Sequence, residues 1–420
     1  MAGKAAVLLH GALWPVLYLG GHRTNIACTG RRDAGVKQIT ADWLKDPAAQ
    51  AVCLMLTQAG YLAFFVGGCV RNELLGVAIS DLDLATNARP EKVMSLAQKA
   101  GLKAVATGID HGTITVISSA LTVEVTTFRK DIKTDGRRAV VAFSDRIEDD
   151  AERRDFTMNA LYADPNGKIC DPLNGLPDLR RGRVRFIKDA NQRIQEDYLR
   201  ILRFFRFHAW YGDAEAGLDP DGLAAIGQNL DGLDALSRER VGQEMKKLLA
   251  APNPAPSVAA MKISGVLSRI LPGADANALP ELVHFEGQIG VAPDPMRRLA
   301  TLGIVSGVKA KLRLSRKDDE RLNAIYREAF AGDKTPAELG YRYGLDIALD
   351  IVLVRAALTG APPPDGFQDD LRLGCAAVFP VKARDLMDQV SGPKLGARLK
   401  ELEARWISSG FQATRKDLLE

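Results

Sequence analysis

Closely spaced cysteines are absent from this chain of 420 residues, which has five cysteines and no C-x-x-C pair. The odd number and the wide spacing argue against a disulfide framework and a zinc site, and they fit a reducing, cytoplasmic compartment. The formal net charge is only +4, so charge alone does not indicate a nucleic-acid partner. Repeats and low-complexity segments are also missing. No His-Asp pair follows residue 220, so we expect no metal-dependent phosphohydrolase domain.

Acidic residues are missing from the first 32 positions, where residues 5–21 form an apolar run. Pro15 and His10 interrupt this run, which is short for a membrane span. A signal peptide and an acid-poor organellar transit peptide are alternative interpretations. We favour a poorly structured extension over residues 1–36, and we expect no membrane association.

The composition is that of a soluble globular protein, with 46% hydrophobic and 26% charged residues. A chain of this length predicts two to four domains. The proline-rich residues 251–257 indicate one boundary, and the pattern beyond them is helical. Lys309–Arg321 carries six basic and three acidic residues, which fits either a phosphate-binding surface or a solvated helix face.

Residues 64–90 are the stretch around which the rest of the chain is organised. Phe64–Val66 predicts the end of a buried strand, and a short helix is predicted over residues 70–75. Between them, Gly67 and Gly68 allow the backbone to turn and to approach a ligand closely, because glycine has no Cβ.

Two aspartates follow that helix in the sequence Ser-Asp-Leu-Asp-Leu. If residues 80–84 form a strand, Asp81 and Asp83 project from one face and the leucines enter the core. Adjacent carboxylates repel unless a cation lies between them, and this oxygen set suits Mg²⁺. A lone D-x-D is more often a solvated turn. In the predicted strand 121–128, Glu124 is either a third acidic ligand or a solvent-facing side chain.

Three further segments carry charged side chains at regular spacing. Residues 129–138 are basic without apolar periodicity and predict a mobile loop. Residues 149–163 predict a helix with an arginine pair in its first turns. Residues 190–211 predict one long helix, on which Asp197, Arg200, Arg203 and Arg206 share a broad face. Guanidinium groups pair with base edges and phosphates, although a charged solvent face is the alternative.

Three stretches of this chain resemble, in the same order, the hallmarks of one family. They are GGCVRN followed by DLD, then RRDFTMNA, and then EDYLR. The chain is thereby similar to the class II branch of the polymerase beta-like nucleotidyltransferases, which contains tRNA nucleotidyltransferases and bacterial poly(A) polymerases. That branch usually has aspartate where this chain has Asn72, a departure that we expect to affect a local helix contact rather than the metal pair.

The resemblance implies an α+β fold. A nucleotidyltransferase head with a mixed β-sheet and helices is expected at residues 37–187. A helical neck that recognises the nucleotide base is expected at residues 188–250, with Arg240 and Glu244 as scaffold. A helical body and tail that bind tRNA through its backbone are expected at residues 251–420. No sequence feature predicts an oligomeric state.

The resemblance also implies template-independent transfer of CMP and AMP, from CTP and ATP, to the 3′ end of tRNA. Asp81 and Asp83 would hold Mg²⁺ in a two-metal mechanism, with Glu124 as a third catalytic carboxylate. Asp197 and Arg200 would read the base. The full set of implied nucleotide contacts is Gly68, Arg71, Arg154 (with Arg153 as the alternative), Asp197, Arg200, Arg203 and Arg206.

Three alternatives stay open at this point. A poly(A) polymerase shares all three hallmarks, although such enzymes often carry a long basic C-terminal extension that is not seen here. An enzyme that adds only CC or only A to tRNA is the second alternative. The third is a catalytically silent RNA-binding relative, against which the intact D-x-D argues.

Overall fold

The computed structural model describes residues 38–135, 138–303, 307–388 and 390–420. The expectation for residues 1–36 lies outside this range. Within it, no helix is both long and apolar enough to cross a membrane. The strands are β1 (Phe64–Val66), β2 (Leu82–Thr86), β3 (Lys103–Gly108), β4 (Thr113–Ser118), β5 (Leu121–Thr127), β6 (Arg129–Asp135), β7 (Arg138–Phe143), β8 (Tyr162–Ala163) and β9 (Ile169–Cys170).

The α-helices surround the sheet in the first part of the chain and form all of the second part. They are α1 (Asp42–Lys45), α2 (Pro47–Thr57), α3 (Gly68–Leu75), α4 (Pro90–Lys99), α5 (Ile147–Glu152), α6 (Leu176–Arg180), α7 (Ala190–Glu196), α8 (Leu199–Tyr211), α9 (Pro220–Gln228), α10 (Arg238–Leu249), α11 (Ala255–Ile263), α12 (Val266–Ile270), α13 (Leu279–Ile289), α14 (Pro295–Ala300), α15 (Val308–Leu312), α16 (Arg316–Ala331), α17 (Pro336–Thr359), α18 (Phe367–Ala376), α19 (Pro393–Ser408) and α20 (Arg415–Leu419).

Seven strands form one mixed sheet in the order β3-β4-β5-β2-β1-β8-β9. Strands β2 and β5 are parallel, and their register places Asp83 opposite Glu124. Leu82 and Leu84 are buried, as are Val123 and Val125, because alternate side chains of both strands enter the core. The predicted α+β fold, with a sheet followed by helices, is confirmed.

Three local predictions were wrong. The described residues of the basic segment, 129–135 and 138, belong to strands rather than to a loop, because β6 pairs antiparallel with β7 in a separate two-stranded sheet. Such a ribbon needs no continuous buried face, so it gives no apolar alternation to detect. Residues 149–163 do not form one helix, since α5 ends at Glu152 and the chain continues into a 3₁₀ turn and β8. The helix predicted over residues 190–211 is divided into α7 and α8.

One apolar core runs from Ile39 through the sheet and the following helices to Leu371. A smaller cluster lies on the other side of β1 and includes Phe64 and Tyr162. A third cluster, around Trp406, belongs to the last helices of the chain. The sheet and the helices of α7–α18 therefore share a continuous packed interior, which holds the charged side chains described next in fixed relative positions.

Candidate active site

The turn between β1 and α3 requires glycine. Gly67 has φ 72° and ψ −117°, a conformation that residues with a Cβ rarely adopt. A Cβ at this position would lie 3.3 Å from Nη1 of Arg154. Beside it, Gly68 has open space where its side chain would be. The turn therefore brings a bare stretch of backbone and one guanidinium to the same place.

The predicted catalytic carboxylates lie at the edge of the same turn. Asp83 is half-buried on β2, whereas Asp81 is exposed and precedes the strand, which begins at Leu82 rather than at Ser80. The Ser80 hydroxyl donates to Asp81 at 2.8 Å. Glu124 is exposed on β5, across the ladder from Asp83.

The charge environment of Asp83 shows that these groups face one another. Burial raises the pKa of Asp83 to about 6, and the negative charges of Glu124 and Asp81 act in the same direction. The guanidinium of Arg154 acts in the opposite direction. A cation that binds beside Asp83 therefore stabilises the ionised form of this carboxylate.

The donor set fits a hard divalent cation with an incomplete protein shell. Across the described residues, no three His, Cys, Asp or Glu side chains come together in a metal-binding group. Asp81 and Asp83 thus offer two carboxylates without a third in the same cluster, and the role of Glu124 stays a prediction. Mg²⁺ commonly binds one or two carboxylates and completes its shell with water and substrate phosphate, so these residues fit the predicted ion.

Arg154 is held in place by a buried acid that the sequence reading did not single out. Asp150 is fully buried and accepts from Arg154 Nη2 at 3.0 Å, from Arg153 Nη2 at 2.6 Å and from the Tyr162 hydroxyl at 2.8 Å. Burial alone would raise the pKa of Asp150, but the two guanidinium groups lower it to about 2. The i+3 and i+4 spacing of the arginines after Asp150 is the signal that points to this arrangement.

Replacing Gly67 with alanine tests how much the site depends on this turn. We expect Gly67→Ala to cost about 1–3 kcal/mol of stability, because of its backbone conformation, and also to displace Arg154. Gly273→Ala is the matched control, since Gly273 has φ 87° with open space around the missing Cβ. Urea unfolding and the KM for CTP are measured for both variants. A KM change of equal size in both would contradict the contact with Arg154.

Arg71 is placed differently from its predicted partners. It is 7% exposed and donates to Asn159 at 2.5 Å, to Asn72 at 2.8 and 3.1 Å and to the Tyr211 hydroxyl at 2.9 Å. Its guanidinium also lies 4.1 Å from the centre of the Tyr211 ring. Burial lowers the pKa of Arg71. The side chain joins α3 to α8, and its predicted contact with nucleotide stays a prediction.

Arg203 and Arg206 project from α8 toward two buried acids. Arg203 pairs with Asp155 at 2.6 Å, and Arg206 pairs with Glu244 at 2.6 Å. Both guanidinium groups also lie near the Phe207 ring, at 5.1 and 4.6 Å. Asp155 belongs to the arginine-pair segment and Glu244 to α10, so these ion pairs connect that segment to the helices behind it.

Asp197 and Arg200 flank the break between α7 and α8. Asp197 has an extended backbone, and its carboxylate accepts from Leu199 N at 3.1 Å and from Arg240 Nη2 at 2.6 Å. These bonds provide a local reason for the break, because the side chain of Asp197 takes the place of a helical carbonyl. Arg240, predicted to be scaffold, contacts Asp197 directly.

The neck helices also explain why α5 ends early. Arg200 donates to Glu196 at 2.6 Å and to the carbonyl of Arg153 at 3.1 Å. Arg193, which the sequence reading missed, donates to the carbonyls of Arg153 and Arg154. These carbonyls lie just past the last turn of α5, where they bond to side chains instead of to a continuing helix.

A cavity of about 210 Å³ lies between the end of α5 and helix α7. Its lining mixes cationic and acidic side chains with one amide. The residues are Lys130, Asp149, Glu152, Arg153, Lys188, Gln192, Arg193 and Glu196. The cavity is small and polar and lies between the segment of Arg153 and the start of the neck.

A mixed sheet that presents two carboxylates beside a glycine turn, with arginines from the next segment, is the arrangement expected for the class that the sequence resembles, the nucleotidyltransferases. The family model described as "Poly A polymerase head domain" matches residues 63–185. The model described as "Probable RNA and SrmB- binding site of polymerase A" matches residues 217–277.

Curated relatives cover most of the chain. It is 36% identical over 399 residues to the CCA-adding enzyme of Geobacillus stearothermophilus, covering 86% of this chain and 93% of the relative. It is 34% identical over 367 residues to the mouse mitochondrial CCA tRNA nucleotidyltransferase 1, covering 84% of each. This chain belongs to the family of CCA-adding enzymes, the CCA tRNA nucleotidyltransferases. That family lies within the class II branch that the three hallmarks resemble.

Solved structures show the same fold. The crystal structure of the Bacillus stearothermophilus CCA-adding enzyme in complex with CTP matches 86% of this chain and 92% of its own, with TM-score 0.66 and 31% identity. The Thermotoga maritima CCA-adding enzyme complexed with tRNA matches with TM-score 0.65 at 19% identity. It covers 87% of this chain and 92% of its own. This second likeness concerns the fold alone.

Proposed function

We propose that this protein builds or repairs the CCA terminus of tRNA by transferring CMP and AMP from CTP and ATP to the 3′ hydroxyl. The observation that carries the proposal is the meeting of Asp83, Asp81 and Arg154 at the bare glycine turn. In this arrangement, the charge of Arg154 acts on Asp83, and the guanidinium of Arg154 also lies beside the open backbone of Gly67. A nucleoside triphosphate with its cation has complementary charges on both sides.

Each residue then has a role that follows from its position. Asp81 and Asp83 would hold Mg²⁺, which when bound favours ionisation of the RNA hydroxyl and neutralises the triphosphate. Arg154, fixed by Asp150, holds phosphate oxygens against the backbone of Gly68. Because the transferred group needs little covalent help, orientation and charge stabilisation supply the rate enhancement.

Base selection is assigned to Asp197 and Arg200, which also bond within the neck. A carboxylate accepts from an exocyclic amine and a guanidinium donates to ring nitrogen or carbonyl, so the pair matches the edges of cytosine and adenine. Arg240 holds Asp197, and Glu196 holds Arg200. Arg203 and Arg206 hold the neck to Asp155 and Glu244 and are proposed as further nucleotide contacts.

The partner assignments extend to the second half of the chain. We assign residues 251–420 to tRNA backbone binding, with the head at 37–187 and the neck at 188–250. The basic segment Lys309–Arg321 is less available than its sequence suggests, because four of its six basic residues form ion pairs. These are Lys309 with Asp319, Arg313 with Glu239, Arg316 with Glu320, and Arg321 with Asp294 and Asp350.

We assign the protein to the cytoplasm, as its cysteines suggest. Cys53, Cys69 and Cys375 are free thiols. Burial raises the pKa of the Cys53 thiol to about 12 and that of Cys69 to about 11, so both stay protonated and unreactive.

Extension of three tRNA transcripts tests the function. The transcripts end before the CCA terminus, after CC and after CCA, and each receives CTP alone, ATP alone or both, with Mg²⁺. Addition of CC and then a single A, with no further growth, supports the proposal. Continued A addition to any RNA identifies a poly(A) polymerase, and A added only after CC identifies an A-adding enzyme. No addition leaves a silent RNA-binding relative.

Arg200→Ala tests base selection. We expect a loss of C-versus-A discrimination of about 10-fold or more, while tRNA binding changes little, because the substitution removes a base-edge donor. The ratio of kcat/KM values for CTP and ATP is compared with the tRNA Kd. Arg180→Ala, which removes an exposed arginine at the end of α6, is the control. Unchanged discrimination would remove Arg200 from the base-reading role.

A further inference from the structure

The side-chain amide of Asn72 connects Arg71 to the segment that precedes Asp81. Its Oδ1 accepts from Nε and Nη2 of Arg71 at 3.1 and 2.8 Å. Its Nδ2 donates to the carbonyl of Ala78 at 2.9 Å. A guanidinium only donates and a carbonyl only accepts, so the chemistry on both sides fixes the orientation of this amide.

The segment from Val77 to Ser80 leads directly into Asp81. It begins after Gly76, which ends α3 with φ 67°, and the main-chain N–H of Val77 donates to the carbonyl of Asn72 at 2.9 Å. Val77, Ala78 and Ser80 are exposed, whereas Ile79 is partly buried against the main core. Side-chain packing therefore holds this segment at one of its four residues. Two hydrogen bonds hold the segment against α3. In one, the main-chain carbonyl of Asn72 accepts from Val77, and in the other, the side-chain amide of Asn72 donates to Ala78.

The other side of Asn72 is rigid. Arg71 is buried against Tyr211 of α8 and bonded to Asn159, which itself donates to Asp155 at 2.8 Å. The contacts therefore run from the neck through the Arg71 guanidinium and the Asn72 amide to the backbone beside Asp81. Partners outside the first contact shell of a metal commonly decide how well its ligands are oriented.

We propose that Asn72 is a positioning residue, which fixes the Val77–Ser80 segment so that Asp81 and Asp83 hold one cation together. The inference rests on the proposed function of those two aspartates. It differs from the expectation drawn from the sequence, which is that residue 72 affects a local helix contact rather than the metal pair. A carboxylate would still accept from Arg71, but its second oxygen would face the Ala78 carbonyl and could not donate to it.

Two substitutions distinguish the hydrogen bonds of Asn72 with Arg71 from its hydrogen bond with Ala78. Asn72→Asp keeps the acceptor for Arg71 and removes the donor to Ala78, while Asn72→Ala removes both. Asn166→Asp makes the same chemical change at an exposed position in the turn between β8 and β9 and is the control. Thermal unfolding tests whether each variant is folded. If Asn72→Ala is unfolded, the measurements are made on Asn72→Asp, whose side chain has nearly the same shape as that of asparagine.

Two measurements are made on the metal-free protein before any assay of activity. The first is hydrogen–deuterium exchange of peptides that span residues 76–82. The second is Mn²⁺ titration, with free Mn²⁺ followed by electron paramagnetic resonance. We expect both Asn72 variants to exchange faster in this segment and to bind Mn²⁺ about 10-fold more weakly. In the extension assay, kcat should fall more than the KM for CTP changes, and the control should match the wild type throughout.

The outcomes distinguish failure of the inference from failure of the function. If Asn72→Asp matches the wild type in exchange and Mn²⁺ affinity, Asn72 acts only through Arg71 and the positioning role is wrong. Faster exchange with unchanged Mn²⁺ affinity also overturns it. If the wild type itself binds no Mn²⁺, the proposed function of the aspartates fails, and the inference fails with it.

Discussion

Asp83→Asn is expected to reduce nucleotide transfer by at least about 10²–10³-fold while the fold is retained. The amide has nearly the same shape as the carboxylate but no charge with which to hold a cation beside Asp81. Single-turnover extension of a tRNA that ends in CC measures the effect. Asp110→Asn, an exposed acid of the same head, should behave as the wild type. Full activity in Asp83→Asn, or equally in Asp81→Ala, would contradict the metal assignment.

Although Asp83→Asn should reduce activity, it should increase the stability of the protein when no metal is present. The pKa of Asp83 is about 6 in the folded protein, above its ordinary value of 3.8, so the folded state binds this proton more tightly than the unfolded state. The stability of the wild type therefore falls as pH rises from about 4 to about 6 and the ionised form becomes populated.

At pH 7 without metal, Asp83→Asn should be more stable than the wild type by about 1–3 kcal/mol, since it cannot ionise. Added Mg²⁺ should stabilise the wild type and leave the variant unchanged. Urea unfolding at pH 4, 6 and 8, with and without Mg²⁺, measures both effects. A variant that is less stable than the wild type at every pH would contradict the environment described for Asp83.

Arg298→Met is expected to lower the free energy of unfolding by about 3–5 kcal/mol. Arg298 is 1% exposed and pairs with Glu286 at 2.8 Å. It also donates to the carbonyls of Leu249 at 2.7 Å and Pro252 at 3.1 Å, and to that of Ala251. Methionine fills much of the volume but leaves these acceptors buried without donors, and leaves Glu286 with Arg297 alone.

Arg316→Met is the matched control for this effect. Arg316 also pairs with a glutamate, Glu320 at 2.7 Å, but its side chain is 88% exposed, so its loss should cost under about 1 kcal/mol. Urea midpoints of both variants decide the comparison. The carbonyls held by Arg298 lie at the end of α10 and just after it, and α10 carries Glu244 and Arg240, so tRNA extension should fall together with stability. Equal midpoints for the two variants would mean that the buried network contributes nothing.

The segment bound by Arg298 shows what amino-acid composition predicts about a connection and what it leaves open. The proline-rich segment 251–257 predicts a boundary, and α11 does begin inside it at Ala255. Its backbone is nevertheless fixed by a guanidinium from α14, 46 residues away in the case of Pro252. Composition indicates where regular structure stops, but a distant side chain decides whether the connection is loose.

The helices that were predicted wrongly have a shared physical cause. Phe156 and Met158 of the predicted helix 149–163 are buried, yet α5 ends before them because Arg193 and Arg200 bond to the carbonyls of Arg153 and Arg154. In the same way, Arg240 reaches Asp197 from 43 residues away where the neck helix breaks. Helical propensity and spacing are local properties, and they do not include competing partners from elsewhere in the chain.

The sequence by itself determined the family, the α+β fold, and the order of the segments that carry Asp81, Asp83, Arg154, Asp197 and Arg200. The family and the fold follow from the resemblance of its three hallmark segments, each of which is a pattern within a few residues. Only the tertiary structure decided that β2 pairs with β5, that Asp150 fixes Arg154, and that Arg71 lies buried against α8. These arrangements depend on which distant side chains share a low-dielectric interior, where an unpaired charge costs more than any local preference supplies.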